Sequence, residues 1–538
     1  MQREIQLLCG AILALSLAMA PHPLDLAERV SGPSQEQLLD AAGDDRNWIL
    51  QAHAYEGNRF LRNSSLTTHS VARLRRAWTY RIDDNTPIES SGLEWSGTIY
   101  VTSGHNNVYA VDALTGVERW RFAYHGSVFA FAVNRGLAIK DGILFMGTTD
   151  GHVLALRATD GHVLWNVVGV LDRQNTFFSM APLVYRNAVI IGAANGDWGG
   201  RGYVVAFDAT TGKRLWIWFT VPAPGEFGNS SWGGDSWKRG GAAAWGGLAL
   251  DPRHATLYVD TGNPEPDYLG SVRRGANLYS DSMIALDISG KSPRIRWYNQ
   301  FIAHDTHDWD IAMPAVLVRG STGGASRDLA IAGDKSGTLR IVDRTSGRTL
   351  HDTAVSVQRG HSLEPDARGT FSCPNTWGGV QFNGGSYLPQ TNAFYVPSTN
   401  MCGVWIADKH ATYVPGEYYL GGVPPPWTGK VSGSLTAVDV STGAILWQHH
   451  FAQPANGGAL VTDGGVVFSG DFNGYLNAFD ARTGRIVWRD RTSSTIDAPP
   501  IAYRRDGHQF VVVASGFPNP HIGWYSGCWL TAYVLDNP

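Results

Sequence analysis

Charge is scarce in this 538-residue chain: Asp, Glu, Lys and Arg make up 17% of it, and the formal net charge is −4. That balance leaves no polybasic face for nucleic acid or an anionic membrane, so it points to small molecules or proteins as partners. Cysteine is scarcer still, with four residues. No Cys-x-x-Cys-His occurs, which excludes covalently attached c-type haem. After the first twenty residues there is no apolar run long enough to span a bilayer.

Those first residues, MQREIQLLCGAILALSLAMA, place a short polar start before an apolar stretch and small residues, the pattern of a signal peptide over 1–20. Glu4 offsets Arg3, Pro21 disfavours cleavage directly after Ala20, and Ser16-Leu17-Ala18 offers another site; an uncleaved anchor is the alternative. Export to the periplasm is the expectation. A short N-terminal segment, 21–46, then precedes the folded domain, 47–538. With Cys9 in the leader and Cys528 near the end, Cys373 and Cys402 remain as the expected disulfide, bracketing the hairpin QFNGGSYLPQTNAFYVPSTN; two buried thiols are the alternative.

Glycine and tryptophan, by contrast, are abundant, at 63 and 20 residues. One phrase uses both: an apolar strand, Asp, two residues, Thr-Gly, and a second strand ending in Trp. It reads YAVDALTGVERW at Tyr109, VAFDATTGKRLW at Val205, TAVDVSTGAILW at Thr436 and NAFDARTGRIVW at Asn477, with weaker copies at Leu154, Ile284 and Arg340. Repetition at roughly 40 to 50 residues marks an array of units that bury their faces on one another. Each copy is a hairpin whose Gly supplies a positive φ and whose Asp or Thr can bond the turn backbone. The terminal Trp is suited to wedge between sheets.

Closing strands near Trp120, Trp165, Trp216, Trp297, Leu350, Trp447 and Trp488 count seven blades. The tail segments IAYRRDG, FVVVAS and WLTAYVL, joined by RLRRAWTY near the N-terminus, supply the strands of an eighth. The expectation is an all-β, eight-bladed propeller closed by its two chain ends, which leaves no exposed sheet edge.

Propellers serve scaffolds and enzymes alike, so function must be sought where the repeat is interrupted. GGAAAWGGLALDP presents Trp245 from a glycine-rich approach that suits a flat ligand, and VDTGNPEPDY holds out Asn263 between Gly and Pro. HDTHDWDIA carries Asp305, Asp308 and Asp310, readable as a solvated acidic loop, a metal cluster or a general base. GAANGDWGGRGYV adds Asp197, so that two carboxylates and an amide oxygen form a hard donor set of the kind Ca²⁺ prefers. Arg135 and Lys335, in AVNRGLAI and IAGDKSGTLRI, are cations placed to hold an anionic ligand.

In these interruptions the chain resembles the quinoprotein alcohol dehydrogenases, the methanol dehydrogenase-like family that uses pyrroloquinoline quinone. The likeness runs from NWILQAHAYEGNRF to the C-terminus and includes ESSGLEWSGTIYVTSG, NRGLAI, GGRGYVVAFDATTGKRLW, SWKRGGAAAWGGLALDP, TGNPEP and HDWDIA. The resemblance implies that Trp245 stacks beneath the quinone, and that Asp197, Asn263 and Asp310 are Ca²⁺ ligands. It makes Asp310 the catalytic base, and puts Glu89, Arg135, Ser179 and Lys335 around the cofactor's carboxylates and quinone oxygens. The 29-residue separation of Cys373 and Cys402 fits the family's buried disulfide.

Several positions depart from the family pattern. Asp197 stands where many members have Glu, Phe129 and Ala130 replace an adjacent-cysteine ring, and Gln381 and Asn456 stand where relatives often have Asn and Trp. Lanthanide-dependent relatives carry an additional Asp two positions after the catalytic one; here that position is Ala312, which favours Ca²⁺. The expected activity is oxidation of an alcohol, with a sugar, polyol or aldehyde dehydrogenase, or a non-catalytic scaffold, as alternatives. Because no haem motif is present, a separate acceptor such as a periplasmic cytochrome c is expected to take the electrons. Asp308 is expected on the opposite side of a locally extended chain from Asp310.

Overall fold

The computed structural model describes residues 32–129, 132–517 and 525–535. The expected signal peptide at 1–20, the first part of segment 21–46 and Ala130 lie outside those residues. Among the described residues the strands form eight sheets. Most are four-stranded antiparallel meanders, as in Leu93–Trp95, Thr98–Thr102, Val108–Asp112 and Glu118–Phe122. Middle strands such as Thr98–Thr102, Thr256–Asp260 and Val466–Gly470 are buried at every position, because a neighbouring blade covers each face. The last strand of a blade lies at the rim, and Glu118–Phe122 alternates between half-buried and exposed residues.

Closure follows the expected route. Leu74–Ile82 pairs antiparallel with Cys528–Leu535, which continues through His508–Ser515 to Ile501–Arg505, so the two chain ends share one blade. A second stitch was not foreseen: Phe60–Leu61 adds in parallel to Leu460–Thr462 and makes the neighbouring blade five-stranded. Two residues are too few to leave a periodic signal.

The repeated phrase acts between blades. In the turn, the Asp112 carboxylate accepts the backbone N–H groups of Leu114 and Thr115 and the Thr115 hydroxyl, and Gly116 takes φ 72°. A turn carbonyl in each of these blades, that of the residue after the Asp in the case of Ala209 and Ala481, faces the blade before it. Trp120 donates Nε1–H to Ala158 O at 3.1 Å, Trp165 to Ala209 O at 3.0 Å, Trp447 to Ala481 O at 2.9 Å and Trp488 to Leu74 O at 3.0 Å. The turn glycine lies flat on that indole: a Cβ at Gly212 would stand 2.9 Å from the Trp165 ring. A bulge just before the Trp, as between Val163 and Trp165, re-aims the side chain along the blade face. The blade expected to end near Leu350 docks with a histidine in place of an indole, His351 Nε2 lying 3.0 Å from Ser441 O.

The Cys373–Cys402 bridge is present, and Cys528 is a buried thiol that donates to Thr86 O. The bridge fastens the segment that carries Trp377 and Gln381 to the long strand Ala393–Ala407. Among the described residues no helix is long and apolar enough to cross a membrane.

Trp165→Ala, which removes a docked indole, should cost about 3–5 kcal/mol, whereas Trp165→Phe, which keeps a ring and loses one hydrogen bond, should cost about 1 kcal/mol. Denaturant melts of the two variants check this order.

Candidate active site

In an antiparallel meander, the chain entering the first strand and the loop joining the second to the third lie at the same end of the blade. The candidate residues occupy those two places around the ring. Glu89, Arg135, Ser179, Trp245, Asp310, Gln381, Asn456 and Asp497 each lie a few residues ahead of a blade's first strand, and Asp197, Asn263 and Lys335 follow second strands. All eight of the expected cofactor and metal residues line one connected space, divided into an upper cavity of about 450 Å³ and a narrower recess below it, with Arg135, Trp245 and Lys335 bordering both.

Trp245 is half-buried, with a face open to this space. Its approach has to be glycine: a Cβ on Gly246 would lie 2.2 Å from Ala312 O. The Arg135 guanidinium lies 4.9 Å from the Trp245 ring and 4.1 Å from that of Phe382. Its Nε is 2.9 Å from Glu89 Oε2 and its Nη1 donates to Ser179 Oγ at 2.9 Å, so the guanidinium is fixed from two sides. Burial pushes the Glu89 carboxyl above its usual range against the pull of Arg135.

Lys335 reaches the same ring, with Nζ 5.6 Å from the Trp245 ring centre. That nitrogen also lies 2.8 Å from Asp308 Oδ1 and 2.6 Å from Asp310 Oδ2. Burial opposes its charge, but the carboxylates of Asp308, Asp310 and Asp197 outweigh it and hold the ammonium's pKa above the ordinary lysine value. Asp310 Oδ1 accepts the backbone N–H of Asn263 at 2.8 Å. This carboxylate depends on Gly262, where a Cβ would stand 2.1 Å from Oδ1.

Asp308 does not lie opposite Asp310 as expected; even in an extended chain, residues two apart share a face. Its φ of 60° turns the backbone, and its carboxylate meets that of Asp310 on the one ammonium. Asp305 sets this turn by accepting the N–H groups of His307 at 2.9 Å and Trp309 at 2.7 Å. The motif is a buried one, with Asp305, Asp308 and Asp310 at 2%, 7% and 3% exposure, so the solvated-loop reading of HDTHDWDIA does not hold.

Sequence reasoning passed over Asp267, whose carboxylate joins those of Asp197 and Asp308 with one oxygen from each within 4.8 Å of the others. Its only sequence signal is a second acid after Glu265 in a segment otherwise fit for burial. Burial raises the carboxyls of Asp267 and Asp308 well above their usual range and that of Asp197 to about 6. Arg273 ties the two acidic loops together through their backbones, donating to Pro266 O at 3.0 Å, Asp267 O at 3.0 Å and Asp305 O.

The replaced cysteine ring leaves an aromatic wall. Phe129 packs 5.6 Å from Phe177 and 5.7 Å from Trp198, which lies 4.7 Å from Tyr418. Gln381 and Asn456 both border the upper cavity, and Asn456 Nδ2 donates to Asp497 Oδ1 at 2.6 Å. The upper cavity, floored by an indole and flanked by two fixed cations, fits a flat, anionic ring system. Beside it, the carboxylate oxygens fit a hard cation, and the Asp267 oxygens are buried without a hydrogen-bond partner.

Comparison with known proteins agrees with this geometry. The chain is 29% identical to the quinoprotein alcohol dehydrogenase PedH of Pseudomonas putida, over 94% of this chain and 92% of that one. It is 28% identical to the lanthanide-dependent methanol dehydrogenase of Methylacidiphilum fumariolicum, over 96% and 89%. A solved europium-containing methanol dehydrogenase superimposes with a TM-score of 0.84 at 26% identity, covering 93% of this chain and all of that one. The family profile described as the PQQ glucose/ethanol/alcohol dehydrogenase β-propeller domain matches residues 48–358 and 353–511. The chain belongs to the PQQ-dependent glucose/ethanol/alcohol dehydrogenase β-propeller family.

Proposed function

We propose that this protein is a periplasmic oxidoreductase that converts an alcohol to an aldehyde or ketone, with pyrroloquinoline quinone as cofactor and a hard metal ion beside it. The observation that carries the reading is the convergence of an open indole face, two fixed cations and a buried group of oxygen donors on one cavity. The family relationship and the names of the relatives, alcohol and methanol dehydrogenases, support an alcohol as substrate.

When bound, the quinone supplies a two-electron acceptor and the metal a Lewis acid. The chain's own part is placement and proton handling. Trp245 gives the ring system a flat support, while Arg135, held by Glu89 and Ser179, and Lys335 orient its carboxylates and oxygens. Asp197 and Asn263 offer oxygens to the metal, with the Asp310 carboxylate next to them. Read from Ala312 alone, that metal is Ca²⁺.

Asp310 takes the hydroxyl proton of the alcohol on a carboxylate oxygen, held in place by Asn263 N–H and Lys335. The Phe129, Phe177, Trp198 and Tyr418 wall excludes water and favours an alcohol with an apolar substituent over a sugar or polyol. Electrons leave to a separate periplasmic cytochrome c, consistent with the missing haem motif.

The full chain supplied with quinone and metal should reduce an electron-accepting dye when an alcohol is added; absence of such turnover with both Ca²⁺ and a lanthanide contradicts the reading. Asp310→Asn keeps the shape and one metal-facing oxygen, so it should still bind the quinone but lose roughly 10²-fold or more in turnover. Trp245→Ala should weaken quinone binding by about 1–2 kcal/mol. Its melting point should fall less than that of Trp165→Ala, which a parallel thermal melt checks.

A further inference from the structure

The ligand set expected from the sequence, Asp197, Asn263 and Asp310, leaves out two carboxylates that lie in the same place. We infer that Asp267 and Asp308 are metal ligands together with Asp197, and that this seat is built for a trivalent cation of the lanthanide class in preference to Ca²⁺. The inference rests on reading the cavity as a metal-assisted redox site, and goes beyond it in naming ligands and ion charge.

The first observation is distance. One oxygen from each of Asp197, Asp267 and Asp308 lies within 4.8 Å of the other two. Oxygen ligands sit about 2.3–2.6 Å from an ion of this size, so a single ion can touch all three. The second observation is independent of the clustering: Asp267 is 1% exposed, and neither of its carboxylate oxygens has a hydrogen-bond partner. A carboxylate in that condition requires a positive partner. The Arg273 guanidinium, the cation on that side, donates to the Asp267 backbone oxygen and not to the carboxylate.

Charge then bears on the ion. Asp197, Asp267, Asp308 and Asp310 surround the seat, and Lys335 contacts the last two. With Glu265 and Arg273, whose charges also act on Asp267, five ionised carboxylates and two cations leave three negative charges, which a trivalent ion cancels and a divalent ion does not. Ala312 therefore does not settle the ion, since Asp267 and Asp308 deliver negative charge from other directions. Both are held in place: Asp308 by the turn that Asp305 caps, Asp267 by the Arg273 bonds on either side of its peptide.

Metal binding by the full chain tests this without reference to turnover. After stripping with chelator, the protein is titrated with Tb³⁺ and followed by tryptophan-sensitised luminescence, with direct metal analysis after desalting. The expected result is one Tb³⁺ per chain, displaced by La³⁺ at similar concentration and by Ca²⁺ only at roughly 100-fold excess or more. Asp267→Asn and Asp308→Asn should each weaken Tb³⁺ binding by at least about tenfold, and Asp267→Asn should melt, in chelator, no lower than the parent, because it removes a repelling charge that has no hydrogen-bond partner. Displacement of Tb³⁺ by equimolar Ca²⁺ overturns the ion preference, whatever the variants do. Unchanged Tb³⁺ affinity in both variants overturns their role as ligands. Dye-linked turnover that survives either result leaves the oxidoreductase reading intact.

Discussion

The indoles of Trp78, Trp120, Trp165, Trp297 and Trp447 each donate to a carbonyl of the following blade across a glycine with no side chain to hold them off, and this contact sets the spacing of the ring. A Cβ at Gly347 or Gly484 would stand 2.6 Å from the Trp297 or Trp447 ring, so the blades approach only because those positions are bare. The contact is made near the rim, yet its consequence is felt at the axis. With the blades fixed, the segments that enter their first strands converge at one end, and one residue after another along the chain is delivered to the same cavity.

The axis is where the fold carries its least favourable electrostatics. Carboxylates of Asp197, Asp267, Asp308 and Asp310 are brought together out of water, with Lys335 as the ammonium in contact. Hydrophobic replacements of such a group are commonly neutral or stabilising, so stability does not explain it. A cluster of buried, strongly shifted acids next to an open aromatic face is what a site built to receive charge looks like. Arg135 shows the same economy of motion, clamped by Glu89 and Ser179 while lying over Trp245 and Phe382. Groups held in place by their own contacts in this way are the arrangement electrostatic catalysis favours.

Much of this was legible in the sequence, for physical reasons that also explain the gaps. The Asp, Thr-Gly and Trp of the repeat are each demanded by a particular contact, so they recur and can be counted, and the leftover strands had to close the ring. His351 escaped because a histidine can make the same bond to a carbonyl without looking like the repeat. The eight residues that the resemblance assigns to cofactor and metal line the same cavity region. Asp308 was misplaced because residues two apart in an extended chain share a face and do not oppose each other, and Asp267 was missed because its partners lie far away in the chain.

The proposed function requires that the cavity over Trp245 receive the quinone and that the neighbouring acidic seat hold a metal beside it. Titrating pyrroloquinoline quinone into chelator-stripped full-length protein, with and without added metal, tests both halves through quenching of tryptophan emission. Saturation at one quinone per chain, with affinity raised by the metal, is the expected result. Absence of saturable binding with either Ca²⁺ or a lanthanide present would contradict it.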